Sequence, residues 1–125
     1  MKIHHVGIAC LNIEEAIHDF KKHHSVLHQS EIVIDELQNA QLCMITSDAG
    51  IDFEFISGEQ VNKLCKKGIS YYHLCYEVDN IDLAIQNALN QDAVMISEPK
   101  PAVLFGNRRV AFMYFPYGLI ELLEK

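Results

Sequence analysis

The 125-residue sequence predicts an α+β fold made of two βαβββ modules in tandem. Three observations predict it. The chain repeats itself: with a shift of 68 residues and no gap, His5 falls on His73, Asn12-Ile13 on Asn80-Ile81, and Ala16-Ile17 on Ala84-Ile85. Repetition of this kind marks a duplicated supersecondary unit. Each histidine lies in a run of strand-like alternation that gives way, past an asparagine, to apolar residues at helical spacing. Each helical stretch is then followed by short β-prone runs separated by turn residues. The predicted organisation is one domain, with a first module over 1–57, a joint over 58–69 and a second module over 70–125.

The elements follow in order. Ile3 to Cys10 alternates as a strand, with His5, Gly7 and Ala9 on one face and His4, Val6, Ile8 and Cys10 on the other. The second face is more apolar and should meet a helix. The first carries His5 beside two small residues, which should leave room over it. Asn12 caps a helix, with Glu15 in capping-box position and a buried stripe of Ile13, Ala16, Ile17 and Phe20. Three strands are expected over Gln29 to Asp35, Gln41 to Thr46 and Ile51 to Ile56, with turns at Asn39 and Ser47-Asp48-Ala49-Gly50. In the last of these, Glu54 stands between Phe53 and Phe55, which point the other way. The joint holds Gly58 and Gly68 around a short helix over Gln60 to Lys66. The second module repeats the plan: a strand over Tyr71 to Val78 and an Asn80-capped helix through Ile81, Ala84, Ile85, Ala88 and Leu89. A short strand over Ala93 to Ser97 is broken by Pro99 and Pro101. Strands over Arg108 to Phe115 and Leu119 to Leu123 close the chain, joined at Pro116-Tyr117-Gly118.

Composition narrows the function. Half the residues are hydrophobic and no low-complexity run occurs, so the chain should bury a core. A net charge of −7 and basic clusters no longer than two residues disfavour nucleic acid as a partner. No apolar run approaches the roughly 20 residues a membrane helix needs. The N-terminus shows no signal-peptide pattern, which reads as a cytoplasmic protein. Cys10, Cys43, Cys65 and Cys75 have no CxxC spacing and read as reduced thiols.

The repeat gives each module one histidine on its first strand and one glutamate on its last: His5 with Glu54, and His73 with Glu121. A pseudo-twofold between the modules would bring the four onto one sheet surface. Two imidazoles and two carboxylates suit a borderline divalent ion such as Zn²⁺, Ni²⁺, Co²⁺, Fe²⁺ or Mn²⁺. Taken singly, either histidine reads as an ordinary strand histidine; residue type, strand and repeat register together make the quartet a candidate. His4, His18, His23, His24 and His28 read as solvated or structural.

His5-Val6-Gly7-Ile8-Ala9, Tyr72 through Ile81, Val110-Ala111-Phe112 and Gly118-Leu119-Ile120-Glu121-Leu122 resemble the vicinal oxygen chelate (glyoxalase/bleomycin resistance/dioxygenase) superfamily. The resemblance covers essentially the whole chain, and its nearest branches are methylmalonyl-CoA epimerase and glyoxalase I. It implies paired modules forming a cupped mixed sheet, a divalent metal held by His5, Glu54, His73 and Glu121, and a homodimer. It also implies an isomerase or epimerase that removes a proton next to a carbonyl or thioester, with Glu121 as general base and Glu54 second in line. The substrate class is then an acyl-CoA. A glyoxalase I-like lyase acting on a hemithioacetal is the alternative, and a non-enzymatic ligand-binding resistance protein is another. The chain departs from the pattern in two places. Gln38-Asn39-Ala40 stands where such epimerases carry a second catalytic glutamate near the third strand, with Glu36 a couple of residues away. Gly7-Ile8-Ala9-Cys10 lacks the arginine that many glyoxalase I proteins use to hold glutathione. Arg108 and Arg109 are the candidate anion contacts; the simpler reading makes them polar residues at a strand start.

Overall fold

The structure, a computed structural model, describes residues 1–125. The first repeat runs β1 (Lys2–Ala9), α1 (Ile13–Lys21), β2 (Val26–Gln29), β3 (Val33–Asp35), β4 (Ala40–Ser47) and β5 (Asp52–Gly58), followed by α2 (Glu59–Lys66) in the joint. The second runs β6 (Tyr71–Val78), α3 (Ile81–Leu89), β7 (Val94–Met95), β8 (Lys100–Ala102), one 3-10 turn at Val103–Phe105, β9 (Arg108–Phe115) and β10 (Gly118–Glu124). The chain divides into two compact units, one of His5–Tyr72 and one of Met1–His4 with His73–Lys125. Both are α+β, and their strand pairing is mixed.

In the His5–Tyr72 unit the strand order is β2-β4-β5-β1, with β3 also on β4; β1 and β5 are parallel and the other pairs antiparallel. In the other unit the order is β6-β10-β9-β7, with β8 also on β9; β6 and β10 are parallel. A parallel pair needs a crossover, and in each unit a nine-residue helix begins it. Both helices start the same way. Asn12 Oδ1 accepts from the Glu15 N–H at 2.9 Å and Asn80 Oδ1 from the Leu83 N–H at 3.0 Å, each satisfying one of the donors that a helix start leaves over. Ile13 and Ile17 of α1 are buried with Cys43, Ile45 and Phe55. Their repeat partners Ile81 and Ile85 of α3 are buried with Val78, Met113, Ile120 and Leu122. Burial of each such side chain contributes about 1.5–3 kcal/mol.

The structure corrects the sequence in three places. The strand expected over Gln29 to Asp35 forms only at Val33–Asp35 (β3), and a separate strand, β2, precedes it at Val26–Gln29, overlapping the expected range at Gln29 alone; both lie on β4. Ser30 sits at the break between them: its N–H donates to the Met44 carbonyl at 2.9 Å, while its Oγ, not its own carbonyl, accepts from the Met44 N–H at 2.9 Å. A hydroxyl that takes a ladder position ends the regular pairing. The strand expected over Ala93 to Ser97 shrinks to Val94–Met95, because the Ile96 and Ser97 N–H groups both donate to the Phe112 carbonyl. Beyond it, Lys100–Ala102 forms the unexpected β8, with Pro101 opposite Arg109. Proline is tolerated there because β8 is an edge strand and its missing N–H faces no partner. Third, the β1 face expected to be roomy is the more buried one. His5, Gly7 and Ala9 are buried, with Glu54 opposite Gly7 in register, whereas Val6, Ile8 and Cys10 are half-buried. Ile8 and Cys10 do pack against the α1 cluster as expected.

Candidate functional site

The four candidate ligands are placed by strand register. In the parallel β1–β5 pair Gly7 lies opposite Glu54, so the glutamate stands diagonal to His5, two residues along on the same face. His5 Nε2 lies 3.4 Å from Glu54 Oε1. In the parallel β6–β10 pair Cys75 lies opposite Glu121, again two residues past the histidine. His73 Nε2 lies 3.2 Å from Glu121 Oε1. The two units thus build the same histidine–carboxylate pair on the same diagonal. All four side chains are buried: His5 is 0 %, Glu54 3 %, His73 6 % and Glu121 2 % exposed. Carboxylates so far from water demand a positive partner, whether a protonated imidazole or a cation.

The hairpin partners complete each half. Met44 lies opposite Glu54 and Phe112 opposite Glu121. The main-chain groups of Met44 bond towards Ser30 and those of Phe112 towards Ser97, so both strand pairs are of the non-hydrogen-bonded kind. That kind brings side chains closest, with Cα atoms about 4.5 Å apart. The Phe112 ring also meets the His73 ring edge-on, with centroids 5.3 Å apart. On the same face of the second unit, Cys75, Val110 and Leu123 pack with Ala102 and the partly buried Phe105. Met44, Phe112 and the two serines were missed in the sequence. Their signal was present: Ser97 repeats Ser30 at a shift of 67 residues and Phe112 repeats Met44 at a shift of 68.

The other candidates lie elsewhere. Arg108 and Arg109 are both bonded to groups within the chain. Arg108 donates to Glu77 Oε2 at 2.6 Å and to the Glu124 carbonyl at 2.8 Å. Arg109 donates to both Glu124 carboxylate oxygens at 3.0 Å and to Asp82 Oδ2 at 3.1 Å. The Arg108 guanidinium holds the Glu77 carboxyl below the usual carboxylate range. Arg109, aided by the Ile81 N–H, does the same to Glu124. Around Gln38-Asn39-Ala40 the Gln38 amide closes a turn by donating to Asp35 at 2.9 Å, the Asn39 amide donates to Glu59 at the start of α2 at 3.1 Å, and Glu36 is exposed. His24 stacks on Phe20 and lies 3.2 Å from Asp48, a structural role. None of the four cysteines is in a disulfide, and no helix is long and apolar enough to cross a membrane.

Two tandem units that each hold a buried His–Glu pair on parallel first and last strands define a class of duplicated α+β proteins. The profile of the glyoxalase/bleomycin resistance protein/dioxygenase superfamily matches residues 4–112, and the chain belongs to that superfamily. Among solved structures, methylmalonyl-CoA epimerase from Mycobacterium tuberculosis is similar at a TM-score of 0.77 and 20% identity, over 98% of this chain and 87% of that one. A Streptomyces coelicolor methylmalonyl-CoA epimerase variant in complex with 2-nitronate-propionyl-CoA is similar at 0.75 and 20%, over 100% and 97%. A superfamily member from Vibrio splendidus is similar at 0.59 and 13%, over 96% of each chain. At these identities the likeness establishes a shared fold. Among curated proteins no sequence matches significantly.

Proposed function

We propose that this protein is a divalent-metal-dependent enzyme that removes a proton from the carbon next to a thioester carbonyl, with an acyl-CoA as substrate and epimerisation as the outcome. The observation that carries the reading is the matched pair of half-sites, each a buried imidazole and carboxylate on one diagonal. Together His5, Glu54, His73 and Glu121 offer two nitrogen and two oxygen donors, which fit Zn²⁺, Ni²⁺, Co²⁺, Fe²⁺ or Mn²⁺. Two buried carboxylates also match the charge of a divalent cation. Such an ion, when bound, stabilises negative charge on the substrate carbonyl oxygen. Glu121 takes the proton as general base, and Glu54 is second in line. His5 and His73, as neutral imidazoles, hold the donor geometry. The fold shared with structures of methylmalonyl-CoA epimerase, one of them carrying 2-nitronate-propionyl-CoA, supports the acyl-CoA class. The proposed assembly is a homodimer.

One observation favours a second reading, a glyoxalase I-like lyase. Where the resemblance implies a second base, the chain has Gln38 and Asn39, whose amides are bonded to Asp35 and Glu59, and a single base suffices to move a proton within a hemithioacetal. Metal analysis of purified protein, followed by proton–deuterium exchange assays, tests both. Exchange at the α-carbon of an acyl-CoA without turnover of methylglyoxal hemithioacetal supports the epimerase, and the reverse supports the lyase. Folded protein that holds no divalent metal and takes none up would overturn both.

A further inference from the structure

We infer that Ser30 and Ser97 are positioning residues for the candidate ligands. The inference rests on the metal reading above and extends it to residues outside the donor set. Each serine sits where its module's second strand breaks, and each uses the same two bonds. Ser30 donates its N–H to the Met44 carbonyl and accepts the Met44 N–H on Oγ, both at 2.9 Å. Ser97 donates its N–H to the Phe112 carbonyl at 3.1 Å and accepts the Phe112 N–H on Oγ at 3.0 Å.

The residue so held is, both times, the one opposite the glutamate: Met44 faces Glu54 and Phe112 faces Glu121. A strand break needs no serine, and it has no reason of its own to fall at the register of the carboxylate. That it does so in both copies links the break to the site. The main-chain groups of Met44 and Phe112 point away from the glutamate strand by register, and the serine's two bonds hold them on that side. Each is half of a close, non-hydrogen-bonded pair, with its side chain beside the glutamate's on the same face. In the second unit the chain of contacts reaches further, since the Phe112 ring also abuts the His73 imidazole. Groups just outside a metal's donors typically change its affinity 10–100-fold, because they fix the angles at which the donors are offered.

The test is Co²⁺ titration of the full chain, read by visible absorption, for the wild type and for S30A, S97A, S97T and F112L. S97A and F112L are expected to bind about 10-fold more weakly with an altered Co²⁺ spectrum, and S30A to follow in the same direction. S97T keeps the hydroxyl and should restore wild-type affinity and spectrum. Circular dichroism separates lost binding from lost folding; if S97A fails to fold, F112L and S30A carry the comparison. Wild-type affinity and spectrum in folded S30A and in folded S97A or F112L would overturn the positioning role alone. A wild type that takes up no Co²⁺ or other divalent ion would overturn the metal reading, and this inference with it.

Discussion

At the residue scale the four candidate ligands divide into two equivalent pairs, but their surroundings differ. Glu121 faces the rigid Phe112 ring and Glu54 the flexible Met44 thioether. The base assignment therefore has a direct check. Glu121→Gln should cut α-proton exchange by about 10²–10⁴-fold, and Glu54→Gln should cut it less at equal metal occupancy. Equal losses, or a greater loss for Glu54→Gln, would reverse the assignment. The histidines and glutamates were legible in the sequence because repeat, residue type and strand parity agreed at 5, 54, 73 and 121. The diagonal that joins each pair was not, since it depends on how far two strands 48 or 49 residues apart slide past one another. The partners of Arg108 and Arg109 were hidden for the same reason, with Glu77, Asp82 and Glu124 at separations of 31, 27 and 15 or 16 residues.

At the element scale the duplicated helices were the most legible part, because capping and the apolar stripe are local. The Asn12 and Asn80 caps have nearly identical geometry, with φ −128° and ψ 112° against φ −135° and ψ 108°. Asn12→Ala and Asn80→Ala should each cost about 0.5–2 kcal/mol of stability, measured by urea unfolding. The Asn80 change should cost the less, because α3 has a second anchor: the Ile81 N–H donates to Glu124 Oε2 at 2.9 Å. A larger loss at Asn80 would count against that anchor. The second strand of each module was the least legible element. Its residues mix β-prone and β-poor types, and its break coincides with one hydroxyl bonding 14 or 15 residues away.

At the scale of the whole molecule, two partly exposed ion pairs contribute to the pH dependence of stability. Glu77 and Glu124 titrate lower in the folded chain than the roughly pH 4.3 of an unpaired glutamate. Above that value both states are ionised and the stabilisation is complete. As pH falls below it, the unfolded chain binds protons first, and stability declines until the folded-state values are passed. The midpoint temperature should therefore drop as pH falls from about 5, and Arg109→Gln should flatten that drop. On the alkaline side burial, with the neighbouring Cys65 charge, raises the Cys10 thiol to about 11. Its contribution is whole below about pH 8.5 and is lost as pH rises through the folded value. Thermal melts across pH 3–11 with Arg109→Gln and Cys10→Ala check both limbs.

The break at Ser30 also governs how the molecule meets its own kind. Leu27, Ile32 and Ile34 are 72 %, 37 % and 66 % exposed along the β2–β3 margin of the sheet. A straight strand from Val26 to Asp35 would offer a neighbour a continuous row of open amide and carbonyl groups flanked by these apolar side chains. Such an edge templates fibrils. Cut into pieces of four and three residues, it offers no stretch long enough to seed one. Ser30→Val, which removes the interrupting hydroxyl and restores β propensity, should raise the rate of self-association seen by light scattering and thioflavin binding. A serine that steadies the residue facing Glu54 would on this account also keep the protein in solution.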